Sequence, residues 1–437
     1  MGFLVDLNYL YFAILTTISL LFAFGKSYVV TNPLNIEQKL RLEGIEALWI
    51  VIFSTGLLAL NTSGFIDLMA IRLFVIEGLC LLAIFMTSRH PILGWASAIY
   101  TLYIIWLIIG CSYAPSIIYG IRVILKYLFP LLIMWVASIA VRNHEVFIKA
   151  CLGAILLAIL SIAFSFIPQI NILVPGVWWY GTARAVHYIS LMILCLSFSF
   201  YIKPKWKYLI LTLTFLLPCF IWVFRSSILG SFIALSAFFF IKHRFRSIPI
   251  IFSLLIIGIV AIFTIPQLHE KMFKKETEIS LQDFQEGKVT AQDINTNYRE
   301  YMWDILYNKF YIGHEIIGSG TGNIQHYMYN NSDEFGGIKI QHNDYLQILC
   351  DNGLIGLIIY LSVIIFIFIH CFIVYHKNQN IPIKICSLTA GASILGVVAT
   401  MYTENTVNYS MATLMMPYGF YGMMLGLLEK QNSKHAV

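Results

Sequence analysis

Charge is scarce in this sequence. Of 437 residues only 11% are Asp, Glu, Lys or Arg, while 59% are hydrophobic and the mean hydropathy is +0.79. An ordinary soluble domain carries roughly 25% charged residues. So few polar side chains cannot coat a water-exposed surface, which excludes a soluble enzyme. The eight cysteines form no C-x-x-C pair and none falls in the one polar stretch, so they read as small core residues rather than redox or zinc ligands. His314, His326 and His342 are too scattered for metal-ligand spacing, and neither metal nor cofactor is expected. The formal charge of +6 is spread over short connections, so no nucleic-acid partner is expected. No internal inverted repeat and no low-complexity segment breaks the chain, which reads as a single membrane domain over 1–437. The first apolar stretch, residues 10–24, follows Asp6 instead of a basic segment and precedes no small-residue cleavage pattern, so it reads as a retained helix.

Long apolar runs are abundant. A stretch of about 20 apolar residues crosses a ~30 Å hydrocarbon core as a helix. Helices are the open-ended spanning solution because backbone groups in lipid must pair within their own segment. The expected spans are 8–25, 47–62, 68–87, 92–111, 117–140, 146–168, 185–202, 206–223, 226–241, 247–265, 347–375, 382–401 and 410–428. The fold class is therefore all-α, a polytopic bundle of 12–13 transmembrane helices with one large, partly helical external loop.

Basic residues concentrate in alternate connections: Lys26, Lys39 and Arg41; Arg89; Arg142; Lys203, Lys205 and Lys207; Lys242, Arg244 and Arg246; Lys377 and Lys384; Lys430 and Lys434. The positive-inside rule makes these cytoplasmic. The opposite set faces outward together with residues 266–345, which hold twelve of the 22 acidic residues and seven of the 28 basic ones. An odd helix count then puts the N-terminus outside. Within the loop, 276–293 is polar without clear structure, and Tyr298, Met302 and Leu306 repeat at helical spacing.

Arg184, Arg225 and Arg299 fall on the outward side, where the charge bias disfavours them. Single arginines at helix ends snorkel to head groups. A guanidinium also holds a phosphate through two hydrogen bonds and stays charged at any working pH. A pyrophosphate-linked lipid at the outer leaflet would need such a cradle. His342, where the loop re-enters the membrane, is either an interface histidine or a group that takes a proton from a hydroxyl, as glycosyl transfer to a sugar requires. Asp344 could serve as base in its place, or cap the next helix. Tyr345 could bind sugar or anchor at the interface. Glu404, Asn405 and Asn408 form an outward polar mouth that binds sugar or ends a helix. The aromatic group Trp178, Trp179 and Tyr180 suits either a sugar face or an interfacial belt. Arg72 and Glu77 lie inside one apolar span, Arg122 and Lys126 in another; such charges line a pathway or pair with each other. The 318–322 run GSGTG follows no strand and precedes no P-loop lysine, so it reads as a tight turn, not a nucleotide loop.

The stretch NYREYMW, then IIGSGTGNIQ, then QHNDYLQILCDNGLIGLIIYL resembles the shared signature of the O-antigen ligase and Wzy-type polymerase superfamily. The matching residues are Arg299, Trp303, Gly318, Gly320, Gly322, His342, Asn343, Tyr345, Leu346, Gly353 and Gly356; Arg184 in GTARAVHY and Arg225 in FRSSILG resemble the family's external arginines. The sequence departs from the pattern where proline commonly precedes the glycine turn, and where two serines follow Arg225. The resemblance implies an inner-membrane, multi-pass glycosyltransferase, metal-independent, acting on undecaprenyl-pyrophosphate-linked glycans at the periplasmic face within the membrane lipid. A chain-length regulator protein is a candidate partner. The implied catalytic set is His342, Arg299, Arg184 and Arg225, with Asn343, Tyr345, Asp344, Trp303 and Glu404 binding substrate. The reading is a polysaccharide polymerase. The alternatives are an O-antigen ligase acting on lipid A core, and a flippase or other transporter without chemistry.

Overall fold

The computed structural model describes residues 14, 17–21, 25, 27–32, 35–56, 68–165, 182–221, 223–273 and 299–435, with the side chains of a few of these, Arg184 among them, outside the described set. An antiparallel hairpin, β1 (Ser27–Asn32) and β2 (Asn35–Glu43), precedes the bundle, with Val29 opposite Arg41 and Val30 opposite Leu40. The helical expectation made no provision for it. Its reason is the period-2 alternation of Ile36, Leu40 and Leu42 with Glu37, Lys39, Arg41 and Glu43.

Helices follow wherever an expected span is described: α1 (Gly44–Thr55), α2 (Leu68–Met86), α3 (Trp95–Cys111), α4 (Ile117–Ala140), α5 (His144–Ser165), α6 (Thr182–Tyr201), α7 (Lys205–Ile221), α8 (Arg225–His243) and α9 (Ile248–Thr264). The loop then contributes α10 (Pro266–Met272), α11 (Arg299–Phe310) and α12 (Asn323–Asn330). The chain closes with α13 (Asp344–Lys377), α14 (Ile381–Thr400), the short α15 (Ser410–Thr413) and α16 (Met415–His435). The protein is an all-α polytopic helical protein. Ile117–Ala140, His144–Ala163, Asp344–Lys377 and Ile381–Thr400 are long and apolar enough to cross a membrane, and Val407–Thr413 with Met415–Ser433 is an apolar helix pair bent by 55°, the form of a broken span or a re-entrant loop. Residues 225–264 also pass on length and composition, but Lys242, Arg244 and Arg246 interrupt the apolar run and the chain doubles back. Arg225 Nη1 donates to the Lys271 carbonyl at 2.7 Å, which brings the start of α8 beside the end of α10.

The bundle is organised around α14, whose side chains are buried on almost every face. A helix apolar all round belongs in the interior. It packs on α8, α16, α13 and α6. Against α8 the approach is close because Gly230 and Gly396 face each other: a Cβ on Gly230 would meet the Gly396 carbonyl at 2.7 Å. Small residues at a crossing let helices come within van der Waals reach of each other's backbone. This contact fixes the depth of α8 against α14, and so the height at which Arg225 meets the turn after Thr400.

The two ends of the bundle differ. At one, the basic connections gather: Arg89 Nη1 donates to the Ile139 carbonyl at 3.3 Å, Arg142 to the His90 carbonyl at 3.5 Å, and Arg244 Nε to His376 Nε2 at 3.4 Å. At the other end lie Arg225, residues 299–345 and the turn 401–409. The 34-residue α13, two helical pieces joined at Gly353, connects them.

Residues 299–345 carry a small core of their own, Met302, Leu306, Phe310, Ile324, Met328 and Phe335, closed by Leu346 and Cys350 of α13. Met302, Leu306 and Phe310 continue the expected helical spacing, while Tyr298 and 276–293 lie outside the described residues. The glycine turn docks on a break in α13. Gly353 has φ +67°, and a Cβ there would strike the Ile316 carbonyl at 2.2 Å. The break frees backbone donors, which the loop satisfies: Leu354 N–H donates to the Glu315 carbonyl at 2.8 Å and Ile355 N–H to the Ile316 carbonyl at 3.2 Å. In return the buried Asp351 carboxylate accepts Gly322 N–H at 3.0 Å and Ile324 N–H at 2.9 Å, capping α12 with a negative charge. The 318–322 run is a structural turn.

Candidate functional site

Four backbone segments meet at the polar end: the start of α8, the start of α11, the turn entering α13 and the turn leaving α14. Each exposes chain ends whose side chains are not committed to helix packing. Two of these turns are stapled together. Asp344 N–H donates to the Met401 carbonyl at 2.8 Å, and the Asp344 carboxylate accepts Val407 N–H at 3.0 Å.

His342 sits in this staple with φ +52°, a region costly for a residue with a Cβ, by roughly 1–2 kcal/mol. The conformation is held by Asn405, whose Oδ1 accepts His342 N–H at 2.9 Å while its Nδ2 lies 3.0 Å from His342 Nδ1. Glu404, next in the same turn, lies 3.7 Å from Nδ1 through Oε2 and 3.9 Å from Arg299 Nη1 through Oε1. Ser226 Oγ donates to Glu404 Oε1 at 3.4 Å. Arg299, the first residue of α11, donates to the Thr403 carbonyl. Arg225, the first residue of α8, feels the repulsion of Arg299 and the attraction of Glu404. Two guanidinium groups and an imidazole thus gather near Glu404, with the buried Asp344 carboxylate close by. Arg299, His342 and Glu404 all keep partial exposure, at 20%, 31% and 17% of their side chains.

The structure brings together Arg225, Arg299, His342 and Glu404. Arg184 lies in the first turn of α6, and its side chain falls outside the described residues, as do Trp178, Trp179 and Tyr180. The other expected substrate contacts make hydrogen bonds within the protein, Asn343 and Asp344 buried and Tyr345 and Trp303 partly exposed. Asn343 is the N-cap of α13, its Oδ1 accepting Leu346 N–H at 3.0 Å, so the capping role considered for Asp344 belongs to its neighbour. Asp344 is fully buried and ties the 401–407 turn. Tyr345 donates its hydroxyl to the Val398 carbonyl at 2.7 Å, and Trp303 Nε1 donates to the Gln341 carbonyl at 2.7 Å. All four side chains hold the His342 turn in place. Asn405 and Ser226 are the contacts that sequence reasoning did not assign. Asn405 was visible only as one polar residue in a mouth, and Ser226 only as a small residue after Arg225.

The intramembrane charges do not join this group. Lys126 donates to Asn408 Oδ1, Arg122 stacks over the Tyr119 ring, and Arg72 donates to the Thr55 carbonyl at 2.8 Å, ending α1. Glu77 is buried, and among the described residues its carboxylate accepts no hydrogen bond. At the far end of the bundle two clefts open, one lined by Arg89, His90, Arg142 and Glu429 and one by Tyr201, Lys203, Tyr208 and Asn380. Neither reaches His342. No group of three or more His, Cys, Asp or Glu side chains is placed to hold a metal among the described residues.

Residues 219–361 match the family model described as O-Antigen ligase. No curated protein matches the chain. The matched stretch runs from just before Arg225 through the Gly353 break, so it contains Arg225, Arg299 and His342, while Arg184 lies outside it. The chain is therefore a multi-pass membrane protein whose residues 219–361 are similar to the O-antigen ligase family.

Proposed function

We propose that this protein is a polysaccharide polymerase of the inner membrane, moving a growing glycan from undecaprenyl pyrophosphate to a lipid-linked repeat unit at the periplasmic face. The observation that carries the reading is the meeting of Arg225 and Arg299 beside Glu404 and His342 at the end of the bundle away from the basic connections. Two guanidinium groups around one carboxylate leave a net positive field, which suits a diphosphate. As the glycosyl bond breaks, charge grows on the leaving pyrophosphate, and fixed cations stabilise that charge without reorganising. His342 activates or orients the acceptor hydroxyl. Arg184, at the start of α6, is the third arginine of the cradle. Asn343, Asp344, Tyr345 and Trp303 act by holding the His342 turn. The positive-inside rule puts the basic end in the cytoplasm and this site outside. A chain-length regulator protein would act on the same lipid-linked polymer.

A second reading, transfer of the glycan to lipid A core, is favoured by the description of the matching family as O-antigen ligase. A gel of surface glycan from a deletion strain separates the two. Core carrying a single repeat unit supports the polymerase; bare core with polymer left on its lipid carrier supports the ligase. Normal long chains in that strain overturn both readings.

A further inference from the structure

We infer that Asn405 fixes the neutral His342 imidazole as the Nε2–H tautomer, so that His342 serves the reaction as a hydrogen-bond donor to the pyrophosphate while Glu404 takes the acceptor proton. The inference rests on the transfer reaction proposed above and changes one assignment within it, moving His342 from the acceptor hydroxyl to the pyrophosphate.

The argument begins at an atom whose role is not adjustable. A backbone N–H can only donate. The atom of Asn405 that faces His342 N–H at 2.9 Å must therefore be the carbonyl oxygen, which settles the orientation of the amide. Its NH2 group then faces His342 Nδ1 at 3.0 Å. That group is a donor without a lone pair to offer, so Nδ1 must accept. A neutral imidazole that accepts at Nδ1 carries its proton at Nε2. Glu404 does not compete for Nδ1, because its nearest oxygen stands 3.7 Å away, beyond hydrogen-bond distance. Asn405 is held firmly enough to impose this choice, being 3% exposed. The left-handed φ of His342 is the conformation that presents both its N–H and its Nδ1 to the same amide.

On the other side of the ring, Nε2 has no hydrogen-bond partner among the described residues, and the side chain is 31% exposed. An Nε2–H there can donate to an anionic phosphate oxygen but cannot accept a proton from a sugar hydroxyl. The base must be another group, and Glu404 is the carboxylate beside it. In the step that follows, the acceptor oxygen forms its bond to the anomeric carbon as the bond from that carbon to the pyrophosphate oxygen breaks. The electron pair of the broken bond stays on the pyrophosphate, which Arg225, Arg299 and the His342 Nε2–H receive. The acceptor proton passes to the Glu404 carboxylate. Asn405 touches neither substrate and is a positioning residue.

The test is nitrogen-15 NMR of histidine-labelled full-length protein in nanodiscs, with His342 assigned by the signal lost in His342→Ala. The wild type is expected to show a protonated Nε2 and a bare Nδ1. Asn405→Asp keeps an acceptor for His342 N–H but presents a second acceptor to Nδ1, so it should move the proton to Nδ1. Transfer from a polyprenyl-pyrophosphate-linked glycan provides the second readout. His342→Gln, which keeps a donor near the Nε2 position, should exceed His342→Ala by about tenfold or more, and Glu404→Gln should lose about 10²–10³-fold, as expected for a lost base. A bare Nε2 in the wild type, or His342→Gln as inactive as His342→Ala, overturns the inference. Should Asn405→Asp fail to fold, the wild-type spectrum and the glutamine-to-alanine ratio still decide. The tautomer is read without substrate. A protein with the expected tautomer that transfers no glycan to any acceptor would sink the proposed function instead.

Discussion

Asp351 and Glu404 are two carboxylates at the same end of the bundle, and they are held in opposite ways. Asp351 is fully buried and accepts two backbone N–H groups at hydrogen-bond distance, with the Gln347 amide 3.4 Å from Oδ2. Glu404 is partly open, with Arg299 Nη1 3.9 Å from one of its oxygens and His342 Nδ1 3.7 Å from the other. A buried polar group that is fully satisfied rigidifies a fold and has little capacity left for a ligand. Charges that are gathered but loosely joined retain the capacity to bind an anion and respond to it. The signature segment thus divides into a half that builds, from the glycine turn to Gly353, and a half around His342 that, under the proposed function, acts.

This contrast makes ordered predictions. The largest effect is expected at His342→Ala, which should lower glycan transfer by about 10²–10³-fold while the protein still inserts in the membrane, as judged by product ladders against protein level. A variant with normal chain length would move His342 from the acting half to the building half. Arg299→Lys comes next. Lysine preserves charge but not the planar fork, so transfer should fall by roughly 10–100-fold, equivalent to losing a charge-assisted hydrogen bond of about 1.5–3 kcal/mol. Full activity in this variant would show that Arg299 contributes charge alone.

On the building side, Asp351→Ala should strip acceptors from the Gly322 and Ile324 N–H groups and cost about 3 kcal/mol, seen as a lower thermal midpoint in detergent. A transfer defect with no change in midpoint would erase the distinction between the halves. The smallest effect is expected at Tyr345→Phe, which removes one hydrogen bond to the Val398 carbonyl and should lower stability by about 1 kcal/mol. A loss of transfer as deep as that of His342→Ala would mean the phenol touches substrate.

Most of the fold could be read from the sequence because apolar length and charge asymmetry are local properties. Residues 117–140 and 382–401 were expected as helices from composition alone and occur as Ile117–Ala140 and Ile381–Thr400. The hairpin was overlooked for a physical reason: Lys39 and Arg41 were explained by topology, and the alternation that carries them was passed over. Arg184, Arg225 and Arg299 stand out because the charge bias disfavours basic residues on the outward side, and His342 because it lies where the loop re-enters the membrane. The direction of their neighbours could not be read in the same way. Asn343, Tyr345 and Trp303 share the signature with His342, yet their partners are Leu346 N–H and the Val398 and Gln341 carbonyls. Asn405 reaches His342 across 63 positions, a contact that exists only once the turns after α14 and before α13 are stapled. A sequence shows that a polar residue is present; the fold decides whether it spends its hydrogen bonds on backbone or keeps them for a ligand.

The central claim is that Arg225 and Arg299 form one anion cradle. Its most direct measurement is calorimetric binding of a short-chain polyprenyl pyrophosphate to purified protein carrying Arg225→Ala, Arg299→Ala or both. Each single replacement should weaken binding by about 10–100-fold, corresponding to roughly 1.5–3 kcal/mol, with non-additive losses in the pair because both groups meet the same diphosphate. Unchanged affinity in the double variant would contradict the account.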